Sequence, residues 1–258
     1  MTCIDRYRSK LISSANHHRA ILFNGIDETA IHRYRVAIKR LTALYRFLEQ
    51  VNPEARSKPL LRPARRLARQ LGPIRDCHII LNLLTELGIA QEDNPLRQAL
   101  HTRIEAQYQA FRQQNPEPGD TVIRLPTLRA LGISQAALLR NKPGVLENLL
   151  TQIEPADNGS DEEAWHRRRI LLKRYHHSLD AFQFCRGHQA DDREIEKMKM
   201  LEQLLGDWHD RVVAMDTILS LKIARSNEVI RTLEAQAENL LGSARIYLVR
   251  FRGVDIGA

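Results

Sequence analysis

The sequence predicts an all-α fold built from two helical bundles. Three observations carry this. Apolar residues recur at i, i+3, i+4 and i+7 through nearly the whole chain, and no segment keeps a sustained two-residue alternation. Aromatics make up 5% of the 258 residues, and the 12 Gly and 10 Pro are clustered, which argues against a β-sandwich or barrel. Hydrophobic residues make up 43%, enough for a packed core, which excludes wholesale disorder.

The elements follow in order. Helical periodicity predicts helices over 4–23, 28–50, 58–70, 74–87 and 93–113, separated by Asn24-Gly25, Asn52-Pro53, Gly72-Pro73 and Gly88. A connection follows, rich in Pro and Gly (Pro116, Pro118, Gly119, Pro126, Pro143, Gly144, Pro155, Gly159), with a helix or two inside it. The periodicity then predicts helices over about 134–153, 161–184, 191–204, 207–224 and 226–250. Asp207 suits an N-cap, Pro73 suits the first helical position, and Asp76 and Asp210 then fall in first turns. No apolar run approaches 18 residues, and the N-terminal MTCIDRYRSK lacks the apolar core of a secretory signal. Cys3, Cys77 and Cys185 are odd in number and far apart, so a reducing cytoplasm without a disulfide framework is expected, with the cysteines as small buried apolar residues.

Charge is unevenly spread. Residues 1–112 hold 19 Lys/Arg against 10 Asp/Glu, residues 113–163 hold 4 against 8, and residues 164–258 hold 16 against 13, giving a net +8. The positive charge flanks an acidic middle, a distribution that suits a polyanionic partner as well as a solvated surface.

The chain also repeats itself. Shifting it by 134 residues places Asp27-Glu28 on Asp161-Glu162, His32 on His166, Arg33 on Arg167, Arg35 on Arg169 and Lys39-Arg40 on Lys173-Arg174. Eight of the fourteen positions from 27 to 40 are identical, and without a gap Arg65 meets Lys199, Leu71-Gly72 meets Leu205-Gly206, and Asp76 meets Asp210. This predicts one domain over 1–258 made of two copies of a multi-helix unit, 1–114 and 134–258, joined by a linker near 115–133. Copies related by a pseudo-two-fold would set like residues along one shared basic cleft.

On a helical wheel His32, Arg35, Lys39 and Arg46 fall within about 60° of one another. Ala37, Leu41, Leu44, Tyr45 and Leu48 lie opposite as core, and Arg33 and Arg40 form a pair at the border. In the second copy His166, Arg169, Lys173 and His176 share a face, with Asp180 further along it. The helix from 58 to 70 carries Arg62, Arg65, Arg66 and Arg69 at i, i+3, i+4 and i+7, with no acid in the helix to pair with them. Arg75 and His209 stand beside the Gly-containing turns, where a helix N-terminus favours anions, and Asp76 and Asp210 can orient neighbouring arginines. Arginine forks and lysine charges match phosphate oxygens, and a double set suits a long, regularly charged ligand. Asn, Gln and stacking aromatics, which base reading needs, are scarce on these faces.

These motifs, HRYRVAIKRL and LGPIRD in the first half and HRRRILLKRYHHSLD and LGDWHD in the second, resemble the CHAD family, the conserved histidine α-helical domain. The resemblance covers both repeats. It implies two pseudo-symmetric helical bundles around a basic groove, binding of inorganic polyphosphate and no catalytic activity; such binding can also serve only to place the protein on a cytoplasmic polyphosphate granule. Some members are fused to a CYTH triphosphatase-like domain, whose acidic strands are absent from this sequence. The family's basic residues carry over to His32, Arg35, Lys39, Arg40 and Arg75, and to His166, Arg169, Lys173 and Arg174. The sequence departs from the family at Thr42 (often Arg), at His176-His177 (Arg-Tyr), at Asp180 (Glu) and at His209 (Asn). Histidine at 176 and 209 keeps a donor but makes its charge depend on pH, so weaker binding by the second half is expected above neutral pH.

Other functions lack their signatures. No phosphate loop, HExxH motif, nucleophile elbow or two-metal carboxylate cluster is present, so neither an enzyme nor a bound cofactor is expected. The adjacent pairs His17-His18 and His176-His177 diverge by about 100° on a helix and read as surface histidines rather than metal ligands. Nucleic acid, itself a polyphosphate, is the alternative partner; a membrane is not expected.

Overall fold

The structure, a computed structural model, describes residues 1–115, 122–153, 162–186, 192–223 and 226–251. Pro116, Pro118, Gly119, Pro155, Gly159 and Asp161, named above, lie outside the described residues. The described residues are mostly helical, with no strand among them. The helices are α1 (Cys3–Asn24), α2 (Glu28–Val51), α3 (Ser57–Gln70), α4 (Gly72–Glu86), α5 (Pro95–Gln114), α6 (Gln135–Ile153), α7 (Glu162–Arg186), α8 (Asp192–Leu221) and α9 (Asn227–Phe251).

Local chemistry sets the boundaries. Thr2 caps α1 by accepting from the Asp5 amide, and Asp27 caps α2 by accepting from the Ala30 amide at 2.6 Å. Asn94 and Ser134 do the same for α5 and α6. At the end of α4, Gly88 has φ +79°, and the Ile89 amide reaches back to the Leu84 carbonyl, a turn that favours glycine.

Helix order and bounds repeat at the offset found in the sequence. Adding 134 carries 28–51 (α2) to 162–185, against 162–186 for α7. The same shift carries 57–86 (α3 and α4) to 191–220, against 192–221 for α8, and 95–114 (α5) to 229–248, against 227–251 for α9. Here the structure corrects one expectation: α8 is a single helix, without a break at Gly206-Asp207. In the first copy Pro73 has no amide to offer the Arg69 carbonyl, and the helix is interrupted at Leu71. In the second copy Asp207 replaces proline, and a helical glycine costs only about 1 kcal/mol. Asp207 is therefore mid-helix rather than an N-cap; its carbonyl accepts from Arg211 and its carboxylate from Gln203. Asp210 likewise lies within α8, not in a first turn.

The chain divides into two compact units, and each draws on both sequence halves. The first comprises Met1–Leu71 and Arg112–Asp192; the second comprises Gly72–Phe111 and Arg193–Ala258. In the first unit α2 packs against α1, α3, α6 and α7, and α1 and α6 also pack against α7. The α2 face expected to be core is core: Ala37, Leu41, Leu44, Tyr45 and Leu48 are buried. Truncating Leu41, which has no exposed surface, to Ala costs about 2–5 kcal/mol. Tyr34 donates to the Ala64 carbonyl and Tyr45 to the Pro126 carbonyl, so both buried hydroxyls are satisfied. Burial pushes the Tyr45 phenol up to about 12.

Residues 122–133 of the connection are stitched onto α1 and α2. Buried Asp5 accepts from the Leu128 amide, and Arg8 donates to the Leu125 carbonyl at 2.7 Å. Asn16 bonds Ile123 in both directions, and Ile123, Leu128 and Ile133 are buried. A second correction concerns the cysteines: Cys3 and Cys185, 5.5 Å apart at Cα, form a disulfide joining the start of α1 to the end of α7, while Cys77 is free and buried. Sequence distance hid this pairing, because 182 residues separate partners that α1–α7 packing brings together.

In the second unit Arg97 of α5 donates to the Leu81 carbonyl and the Thr85 hydroxyl of α4. Arg103 of α5 donates to Ser220 of α8, and Arg211 of α8 donates to Gln236 of α9. Burial pushes the Cys77 thiol up, with Arg103 opposing and Asp76 adding to the shift, which makes it a poor nucleophile. No helix among the described residues is long and apolar enough to cross a membrane.

Candidate functional site

A groove of about 320 Å³ in the first unit collects the basic residues of three helices. From α2 come Arg35, Lys39 and Arg46; from α3, Arg65 and Arg69; from α7, Arg169, Lys173, Arg174 and His177. Ile38, Thr42, Ala43, Ala68 and Ile170 fill the spaces between them. Among the described residues no carboxylate lines it.

The repeat explains the pattern. Arg35 and Arg169 are equivalent positions, as are Lys39 and Lys173, and Ala43 and His177. These pairs step by four residues along each helix, so α2 and α7 present matching rows to one groove. Burial and crowding of like charge act together on the arginines. Burial pushes the Arg65 guanidinium down from its ordinary pKa, and the charges of Arg46 and Arg69 push it further. Burial and the charge of Arg174 do the same to Arg46, with Glu49 opposing.

Arg65 and Arg69 also line an adjoining cavity of about 470 Å³ with Lys58, Pro59 and Arg62. Of the four stacked arginines on α3, three therefore face cavities, while Arg66 is exposed and lines neither. Arg35 has a structural duty as well, since its Nη1 donates to the Ala68 carbonyl at 2.5 Å near the end of α3.

Other candidates are placed elsewhere. His32 lines a separate cavity of about 390 Å³ with Arg33 and Arg40, next to α1. Arg40 is turned to Asp180, Nε to Oδ2 at 3.1 Å. His166 is half-buried on α7 outside the groove lining. Arg75 and Asp76 on α4, and Lys199, His209 and Asp210 on α8, belong to the second unit. There Lys199 lines a cavity with Glu196, Lys197, Met200, Gln203 and Tyr247, and His209 lies beside Trp208.

Arg46 shares the wheel face of Arg35 and Lys39, and the structure adds it to the groove. His177 was masked by its neighbour, because the wheel assigns the basic face to His176. The structure corrects part of the expectation that the paired histidines diverge on the surface: His17 is exposed as expected, but the other three are not. His18 is buried and donates from Nδ1 to the Ser14 carbonyl at 2.7 Å. His176 and His177 stack, and both reach Asp180 at 3.5 Å, because i,i+3 and i,i+4 neighbours share a helix face. Among the described residues no three His, Cys, Asp or Glu side chains group to hold a metal ion.

Arginine and lysine gathered in a groove can bind an anion with many acceptor oxygens, by charge and by forked hydrogen bonds. Comparison with curated proteins finds no match to the chain. A family model described as the CHAD domain matches residues 6–219, a span that includes every groove residue and most of both repeats, and the chain therefore belongs to the CHAD domain family.

Proposed function

We propose that the chain binds inorganic polyphosphate in the first-unit groove, without turning it over, and that this binding places it on polyphosphate granules. The observation that carries the reading is the gathering of nine Arg, Lys and His side chains around one groove with no carboxylate among them. Membership of the CHAD family supports the same ligand class. A linear polyanion supplies closely spaced oxygens to offset charges that otherwise repel one another. The adjoining cavity shares Arg65 and Arg69, which gives a longer chain a continuation along α3 toward Arg62 and Lys58.

In this reading the repeat halves are pseudo-symmetric, and α2 and α7 are the mates that line a basic cleft. The roles assigned to Arg75, His209 and Lys199, and the orienting roles of Asp76 and Asp210, belong to the same proposal. Among the described residues no Phe, Tyr or Trp lines the groove for bases to stack on, which favours polyphosphate over RNA or DNA.

The test is a titration of the full chain with long-chain polyphosphate, RNA and DNA at equal phosphate and fixed salt, with and without a chelator. Tighter binding of polyphosphate, unchanged by the chelator, is expected. Equal binding of all three replaces the reading with a general polyanion binder, and shortening of the polyphosphate during the titration replaces it with an enzyme.

A further inference from the structure

One carboxylate in the first unit gathers three basic side chains. Asp180 Oδ2 lies 3.1 Å from Arg40 Nε on α2 and 3.5 Å from His177 Nδ1, while Oδ1 lies 3.5 Å from His176 Nε2. Arg40 Nε, His177 Nδ1 and Asp180 Oδ2 are shut off from solvent and make no hydrogen bond to any other group. His177 also lines the groove, so its ring connects Asp180 to the site.

The two ring nitrogens then have different duties. Nδ1, facing a buried carboxylate, must carry a proton, because two facing acceptors would repel. That leaves Nε2 for the groove. On a neutral ring with Nδ1–H, Nε2 is a lone pair, which disfavours a phosphate oxygen. On the protonated ring Nε2 is a charged donor.

We infer that Asp180 is a positioning residue that fixes the tautomer of His177, so that His177 joins anion binding only when protonated and polyanion affinity falls as pH rises through the histidine range. The inference rests on the polyphosphate reading of the groove.

The neighbours on every packed helix leave this titration to the histidines. On α2 and α3 the charges facing the groove are Arg35, Lys39, Arg46, Arg65 and Arg69, with Arg40 behind. On α7 they are Arg169, Lys173 and Arg174, with His176 beside Asp180. From α6, Lys142 lies over the Phe182 ring, and from α1, Lys10 lies over Phe184. Tyr7 of α1 is held well above the ordinary phenol range by burial and by Asp180, with Arg40 opposing, and stays neutral. Burial raises the Asp180 carboxyl, but the contacts with His177, Arg40 and His176 outweigh it and hold it below the usual carboxylate range. Asp180 is thus ionised throughout the range in which histidine titrates.

The experiment has two arms on the full-length protein. In the first, long-chain polyphosphate affinity is measured from pH 6 to 8.5 at fixed ionic strength for wild type, Asp180→Asn and His177→Gln. Wild type is expected to lose about fivefold or more across the range, the scale of one charge-assisted hydrogen bond. His177→Gln is expected to flatten most of that loss. Asp180→Asn is expected to flatten it as well, because the freed neutral ring can adopt the Nε2–H tautomer. A flat wild-type profile, or an Asp180→Asn profile that superimposes on wild type, overturns the inference. In the second arm, ring-nitrogen NMR shifts of ligand-free wild type at pH 8 read the tautomer directly. Nδ1–H is expected at His177, and Nε2–H overturns the inference even if Asp180→Asn fails to fold. Absence of polyphosphate binding at every pH removes the functional reading, and the NMR arm still decides the role of Asp180.

Discussion

Arg40 from the first copy of the repeat and Asp180 from the second meet at 3.1 Å across α2 and α7. Position 180 is equivalent to position 46 in the first copy, where the residue is Arg46, a groove cation. One copy therefore uses this position to add positive charge to the groove. The other uses it to anchor Arg40, His176 and His177.

That anchor predicts an acid limit to stability. The Asp180 carboxyl is held below its ordinary range in the folded protein. Its contribution is therefore complete above the unfolded value of about 3.9 and is lost as pH falls through the lower folded value. Asp180→Asn should lower Tm at pH 6, on the scale of about 1–3 kcal/mol for a charged contact removed from a half-buried site. The gap to wild type should close below about pH 4. A gap that stays constant from pH 6 to pH 3 in thermal melts would contradict the ionic role.

Lys39→Ala and Lys173→Ala test the groove from equivalent positions of the two copies, while Arg35→Ala also tests a helix contact. The lysines line the groove from equivalent positions, while Arg35 also holds the Ala68 carbonyl. Each lysine substitution removes one groove cation. Each should reduce the slope of log affinity against log salt by about 0.7. Arg35→Ala should lose both affinity and stability. Unchanged salt slopes in both lysine variants would place the polyanion outside this groove.

Charge crowding predicts a trade between empty and occupied states. Burial and the charges of Arg46 and Arg69 already push Arg65 away from its charged form. Arg65→Gln should therefore leave Tm without ligand equal or higher, and should shrink the Tm gain on adding polyphosphate. A lower Tm without ligand, with the full ligand-induced gain retained, would mean that Arg65 is a packing residue.

The helices were legible because periodicity and punctuation survive in sequence: α2 and α7 begin and end within two residues of expectation. The repeat was legible because Arg35/Arg169 and Lys39/Lys173 are identical at one constant offset. What stayed hidden is the consequence of tertiary packing. Proline at 73 breaks a helix that Asp207 does not, although both turns carry a glycine. His177 enters the groove because three helices converge on it, which a single wheel cannot display. Arg40 and His32, on the same helix as Arg35, face other neighbours for the same reason.

The disulfide gives the last prediction. Cys3 and Cys185 tie the start of α1 to the end of the helix that carries His176, His177 and Asp180, and Tyr7 packs on Phe184 beside it, ring centroids 5.4 Å apart. The loop it closes spans most of the chain, 182 residues of sequence separation, so the cross-link restricts the unfolded ensemble substantially. Reduction, or the double substitution Cys3→Ser with Cys185→Ser, should cost about 2–4 kcal/mol and lower Tm accordingly. The reductant should have no further effect on the double variant, because Cys77 is free and buried in the other unit. The groove draws its cations from α2, α3 and α7 upstream of Cys185, so polyphosphate affinity at temperatures well below Tm should change little. Equal melting of oxidised and reduced protein, with thiol counting confirming both states, would remove the disulfide from the list of what holds this fold together.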